Sequence, residues 1–348
     1  MKRKPKVVIT HWVHPEVVAC LDSSCDVVLN QTRKTLPAAE ILKRAKQADA
    51  LMVFMPDIVD QAFLHECKRL RIIAGAFKGY DNIDVAACTQ SGVWFTIEDD
   101  SLTIPTAELA VGLLLSLARN ILPGDRLVRS GEFGGWRPVL YGMGLQGRTV
   151  GIIGMGKIGR AIAERLAGFK PVLLYSDTAS LTREMENDLN VRHVGLDALV
   201  RESDFTVLAL PLTPDTLRLV DKQRLARIKR GSYIINIGRG SVVDEKAVAG
   251  ALRTGRLAGY AADVFEMEDL SRPDRPSQIA PGLLADTDRT VFTAHLGSAV
   301  DDVRRKIALH AAENIVDALA GKRPRGAINN PPGRDEDFRR VLSFSISL

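Results

Sequence analysis

Three polar islands stand in the second half of this 348-residue chain, each at the end of an apolar run. The first is NIGRGSVVDE, in which Arg239 lies between Gly238 and Gly240. The second is ADVFEMED, carrying Asp263, Glu266 and Glu268, and the third is TAHLGS, carrying His295 and Ser298. An Arg between glycines is poor core material, but its planar fork suits two-point binding of an anion. A His at a strand end near a glycine opens onto a cleft, and a Glu hydrogen-bonded to it would fix its tautomer and suit it to carry a proton. An anion clamp and an oriented imidazole at successive strand ends occupy the edge where open parallel sheets hold ligands. The other five histidines (His11, His14, His65, His193, His310) have no such context and are read as structural.

The element that must position these groups is the stretch RTVGIIGMGKIGRAIAERLAGFKPVLLYSD, residues 148–177. Residues 150–153 read as a buried strand that feeds G-x-G-x-x-G at Gly154, Gly156 and Gly159. A helix follows with Ile158, Ile162 and Leu166 on one face, then a second run at 172–175 that ends in Asp177. The glycines serve a tight turn, close approach of backbone to a pyrophosphate, and close helix–strand packing. The pyrophosphate would meet the free N–H groups and positive end of the helix. Asp177 stands where a carboxylate accepts from the ribose hydroxyls of an adenosine. It would repel a 2′-phosphate, and the nearest Arg on that loop is Arg183, so NAD is expected rather than NADP.

Before this stretch, apolar runs at 7–10, 27–29, 50–54, 72–76 and 93–95 alternate with helical segments, which predicts a small α/β domain with a mostly parallel sheet. Residues 101–130 read as one long helix with Ala110, Leu113, Leu114 and Leu117 in an apolar stripe, which suits either the core or packing against a second subunit, with a homodimer favoured. After it, runs at 205–210, 233–237, 260–265 and 290–294, with helices at 222–229 and 245–253, complete a second domain. A helix at 301–320 is long enough to return to the first domain. The expected fold is α/β: two doubly wound parallel-sheet domains, a Rossmann NAD domain (101–298) inserted into a smaller flavodoxin-like substrate domain (1–100 and 299–330), with 331–348 as a tail.

A hydrophobic share of 46%, a charged share of 26% and a net charge of +5 are those of an ordinary globular protein. The basic clusters have no interleaved aromatics, so nucleic acid is not an expected partner. Cys20, Cys25, Cys67 and Cys88 form no C-x-x-C pair, and no metal site is expected. The longest apolar run is too short to span a bilayer, and no signal peptide opens the chain, so the expectation is a cytoplasmic protein without a membrane partner.

Over residues 6–328 the chain resembles the D-isomer-specific 2-hydroxyacid dehydrogenases, on the segments GIIGMGKIGR, NIGRGSVVDE, GYAADVFEME and TAHLGS. The resemblance implies catalytic Arg239, Glu268 and His295, with Asp263 near the nicotinamide. It also implies cofactor contacts along Leu210, Pro211, Ile237 and Gly238, and at Thr106, Lys157 and Ile158. Within the family the chain is most similar to the phosphonate (phosphite) dehydrogenases, on FMPD, FKGYDNID, LTIPTAEL, RSGEFGGWRPVLYG and DVFEMED. That likeness implies Lys78 as a second cation opposite Arg239, and Met55, Gly79, Trp136, Tyr141 and Ser298 around the substrate. The expected reaction is oxidation of phosphite to phosphate, with hydride passing from phosphorus to NAD and His295 as base for the attacking water. Gly238, Ala294 and Asp99-Asp100-Ser101 depart from the pattern, which has Cys, Pro and a Pro-Asp-Leu hinge there. Two other readings are a 2-hydroxyacid dehydrogenase of another specificity, which shares the Arg/Glu/His set, and an NAD(H)-sensing corepressor-like binding protein, which does not need Lys78.

Overall fold

A computed structural model describes residues 3–98 and 100–332. Asp99 of the altered hinge motif and residues 333–348 of the expected tail lie outside the described residues. The chain forms two compact units, one from the chain up to Leu102 and from Val300 onward, the other from Thr103–Ala299.

The first unit is built on strands β1 (Lys6–Ile9), β2 (Asp26–Val28), β3 (Ala50–Val53), β4 (Ile72–Gly75) and β5 (Trp94–Thr96). They form one parallel sheet in the order β2-β1-β3-β4-β5, the flavodoxin-like order. Every residue of β3 and β4 is buried, as unbroken apolar runs require when both faces of a sheet are covered. The helix Asp301–Leu319 supplies part of that cover, burying Ile307, Ala308, Ala311, Ala312 and Ile315. Its carboxyl end is fastened by Arg71, whose guanidinium donates to the carbonyls of Ala318 and Leu319.

The same helix carries His310, whose Nδ1 lies 2.6 Å from Oε2 of Glu98. Glu98 also accepts from the Ser101 N–H at 3.0 Å. Burial pushes the Glu98 carboxyl up, but the Ser101 and His310 hydrogen bonds outweigh it and hold the group below its usual value. A depressed carboxylate stabilises the fold fully above the unfolded-state value and loses that contribution as pH falls through the folded one. Glu98→Gln is therefore expected to cost about 1–2 kcal/mol near neutral pH. The gap to wild type should shrink as urea titrations move below about pH 4.3. A gap independent of pH contradicts this account of the pair.

The second unit holds strands β6 (Thr149–Ile153), β7 (Val172–Ser176), β8 (Val191–His193), β9 (Phe205–Leu208), β10 (Ser232–Asn236), β11 (Leu257–Ala262) and β12 (Thr290–Phe292). All pair in parallel, in the order β12-β11-β10-β9-β6-β7-β8. From β6 the chain steps outward to β8, then returns to β9 and steps the other way to β12. The reversal between β6 and β9 makes a crevice at the carboxyl ends of these strands, where doubly wound sheets bind ligands. The period-2 alternation of the strands divides the core. Ile152, Val207, Ile235 and Ala261 face one cluster with Leu113, Leu114 and Leu117. Ile153, Leu208, Ile234 and Ala262 face the other with Val248 and Leu252.

Two features differ from expectation. Strand β8 is a three-residue edge strand, too short to show alternation. The single helix expected over 101–130 is two helices, Thr103–Ala118 and Ile121–Arg129, bent by 62°. The break comes at Asn120, with φ +53, upstream of Pro123 and Gly124, which sit inside the second helix. Asn tolerates the left-handed region better than most residues, so it can end a helix that its apolar stripe would continue. No single helix among the described residues is long and apolar enough to cross a membrane.

Candidate active site

The glycine turn after β6 is shaped by close approach. Gly154 has φ +93, and a Cβ there would lie 2.5 Å from the Ala209 carbonyl oxygen. A Cβ on Gly159 would lie 2.1 Å from the Gly154 carbonyl oxygen, so the helix Lys157–Leu166 rests directly on the turn. Gly156, the N-cap of that helix, is the reverse case: a Cβ there meets nothing within 4 Å. The open side of Gly156, at the amino end of a ten-residue helix, is the space a pyrophosphate needs. Lys157 and Ile158 form the first turn of that helix, and Ile158 packs against the core. At the end of β7, Asp177 accepts from the Met155 N–H at 2.6 Å through Oδ2 and from the Thr178 N–H at 2.6 Å through Oδ1. The acid is thus tied to the glycine turn, and carboxylate oxygens with more than one lone pair each can still accept a ribose hydroxyl. The residues present fit a dinucleotide with an unphosphorylated ribose.

Arg239 follows β10. The buried Asn236 side chain shapes its loop, accepting from the Gly238 N–H at 3.1 Å and donating to the Arg239 carbonyl at 3.0 Å. Gly238 is set against the end of β9, where a Cβ would lie 2.5 Å from the Leu210 carbonyl oxygen. Leu210 and Ile237 are buried beside that contact, and Pro211 is exposed.

Glu268 and His295 follow the next two strands, β11 and β12. His295 Nδ1 lies 2.7 Å from Glu268 Oε2, while Glu268 Oε1 accepts from the Phe265 N–H at 2.8 Å. With Nδ1 engaged, Nε2 is the ring atom left to face a reactant. His295 itself adopts φ +56, an uncommon conformation for a residue with a side chain. Asp263 holds it there. This buried acid accepts from the Leu296 N–H at 2.7 Å, the Gly297 N–H at 2.9 Å and the Thr293 hydroxyl at 2.5 Å. Its carbonyl also accepts from the His295 N–H at 2.9 Å. Thr106 is buried against the same turn: a Cβ on Gly297 would come within 3.1 Å of its hydroxyl. Ser298 is half-buried next to it.

Of the other residues expected around the substrate, some belong to the first unit and some to the second. Lys78 and Gly79 are half-buried in the loop after β4 of the first unit, and Met55 packs on that unit's core. Trp136 and Tyr141, expected to enclose a substrate, are 85% and 77% exposed. Sequence reasoning missed Asn236 as the brace of the Arg239 loop; its only signal was a polar residue closing an apolar strand. All four cysteines are free, and burial pushes Cys67 up to about 11 and Cys88 up to about 12, so neither presents a reactive thiolate.

A switch-point crevice, a dinucleotide cradle and an Arg/Glu/His set along one sheet edge define a nicotinamide-dependent oxidoreductase. Residues 111–297 match the D-isomer specific 2-hydroxyacid dehydrogenase NAD binding domain. The chain is 39% identical over 333 residues to a glyoxylate reductase of Pyrococcus horikoshii, covering 94% of this chain and 96% of that one. It is 36% identical to the glyoxylate reductase of Pyrococcus furiosus with the same coverage. Among solved structures, a protein of Thermus thermophilus superimposes with a TM-score of 0.85 at 33% identity, over 93% of this chain and all of that one. A glyoxylate reductase of Paecilomyes thermophila does so with 0.81 at 25%, over 94% and 99%. The chain belongs to the D-isomer-specific 2-hydroxyacid dehydrogenases, and its cofactor is NAD.

The expectation of a phosphite dehydrogenase is corrected by the same relatives, which are named glyoxylate reductases over nearly the full chain. The physical reason lies in the segment that carried the finer likeness. Trp136 and Tyr141 are too exposed to line a cavity within their own unit, so they lend no support to a phosphite pocket.

Proposed function

We propose that this protein reduces a small 2-oxoacid, glyoxylate foremost and hydroxypyruvate next, to the corresponding 2-hydroxyacid. The observation that carries the reading is the 2.7 Å contact of His295 with Glu268, on a loop neighbouring that of Arg239 along one strand-end edge. Arg239 binds the substrate carboxylate through its fork, which also orients the carbonyl. His295, held by Glu268, gives the proton on Nε2 to the carbonyl oxygen as charge develops there. NADH, when bound, supplies the hydride that goes to the carbonyl carbon. The sum is glyoxylate, NADH and a proton giving glycolate and NAD. Asp263 acts through the His295 turn, keeping the ring presented despite its strained backbone. The glyoxylate reductases among the relatives support the choice of substrate.

Exposed Ile121, Leu122, Val128, Phe133, Trp136 and Tyr141 support a homodimer as the acting form. Incubation with NADH and glyoxylate, followed by NMR of the products, is expected to show glycolate in step with NADH consumed. NADH binding without glycolate formation overturns the assignment.

A further inference from the structure

The loops bearing Arg239 and Glu268 touch each other before any substrate arrives. A Cβ on Gly240 would lie 1.8 Å from the Phe265 carbonyl carbon, so the two backbones run in direct contact. Beneath that contact is a cluster of buried acids. Glu245 and Glu266 exchange backbone bonds: the Glu245 N–H donates to Glu266 Oε1 at 3.0 Å, and the Glu266 N–H to Glu245 Oε1 at 2.8 Å. Glu245 Oε2 accepts from the Ala280 N–H at 2.9 Å. Asp269 Oδ2 accepts from the Ser241 N–H at 2.6 Å. Glu245, Glu266 and Asp269 are 2%, 5% and 3% exposed, which demands a cation among them.

Arg272, itself 8% exposed, supplies it. Its Nη1 donates to the Ser241 hydroxyl at 2.9 Å and to Glu266 Oε2 at 3.4 Å. Nε and Nη2 take Asp274 at 3.2 and 2.8 Å. Arg218, half-exposed, lies 3.8 Å from Glu266 and completes the shell. Ser241 stands two residues after Arg239, and Glu266 two residues before Glu268. One guanidinium nitrogen therefore spans the supports of both loops.

We propose that Arg272 is a positioning residue for the reaction: its fork fastens the Arg239 loop to the Glu268 turn and sets the spacing between anion clamp and proton carrier. This rests on the roles given above to Arg239, Glu268 and His295. A lysine keeps the charge, but its single nitrogen cannot hold Asp274 from two directions and also reach Ser241 and Glu266, so it does not reproduce the bridge. A misplacement of about 1 Å between reacting groups can cost on the order of a hundredfold in rate.

The test compares wild type with Arg272→Lys, Ser241→Ala and the double variant, all with NADH bound. Arg272→Lys is expected to lower kcat for glyoxylate on the order of tenfold to a hundredfold, with NADH affinity within about twofold of wild type. The double variant should lose little beyond the worse single one, because both cut the same bridge. Hydrogen exchange read by mass spectrometry gives a second arm that needs no substrate. Exchange should rise together in peptides covering 238–245 and 264–270, while β6 and β10 stay as protected as in wild type. Faster exchange confined to 270–276, or loss of NADH affinity in step with kcat, would show a local structural role and overturn the proposal. If wild type fails to reduce glyoxylate, the functional reading falls, and the exchange arm still decides whether Arg272 couples the two loops.

Discussion

His295→Gln is expected to lower kcat with glyoxylate by on the order of a thousandfold while leaving the affinity for NADH within about twofold. The side chain meets a carboxylate through Nδ1 at 2.7 Å and leaves Nε2 as its only other polar atom. Gln fills similar space and can still bond Glu268, but an amide does not deliver a proton at neutral pH. Binding and hydride geometry survive, and the developing alkoxide loses its proton donor. The backbone is a secondary concern, because Asp263 binds the Leu296 and Gly297 N–H groups whichever side chain occupies 295. Steady-state rates at saturating NADH check the prediction. A fall below about fivefold would mean that His295 is not the proton donor.

The second large effect concerns two glycines of the same turn whose substitutions have opposite outcomes. Gly159→Ala puts a methyl group 2.1 Å from the Gly154 carbonyl oxygen and 3.4 Å from the side chain of Ile152. Alanine's better helix propensity favours the fold by about 1 kcal/mol. Overpacking against backbone costs about 1–3 kcal/mol and occasionally more, so the clash wins. The helix must lift from the turn, and NADH affinity is expected to fall on the order of a hundredfold as the N–H groups leave their places. Gly156→Ala meets no atom within 4 Å, so the empty protein should melt as wild type does. NADH affinity should nonetheless fall, since the methyl group enters the space assigned to the pyrophosphate. Melting curves and NADH fluorescence titrations of both variants separate the cases. Equal stability of the two variants would contradict the packing argument.

The dinucleotide unit was legible because strand, glycine spacing, helix and terminal acid reinforce one another within 30 residues of chain. Arg239, Glu268 and His295 were legible for a related reason: each polar island closes an apolar run, and parallel sheets gather such ends on one edge. The bend at Asn120 was hidden, since the apolar residues on either side allow one continuous helix and only a single dihedral breaks it. Arg272 was hidden more deeply. In SRPDRP it reads as a charge on a surface loop, and its partner Ser241 lies 31 residues away. The substrate was misread because the finer likeness rested on short segments, whereas the relatives that match nearly the whole chain are glyoxylate reductases. The exposure of Trp136 and Tyr141 was hidden as well, since it is set by tertiary placement, which their local sequence does not encode.

The most direct test of the central claim is a comparison of two rates on the wild-type enzyme, followed by the absorbance of reduced nicotinamide. One reaction contains NADH and glyoxylate, the other NAD and phosphite. Rapid loss of NADH is expected in the first, and none formed in the second beyond the blank. NADH formed from phosphite, with glyoxylate inert, would contradict the assignment and return Lys78 to the centre of the site.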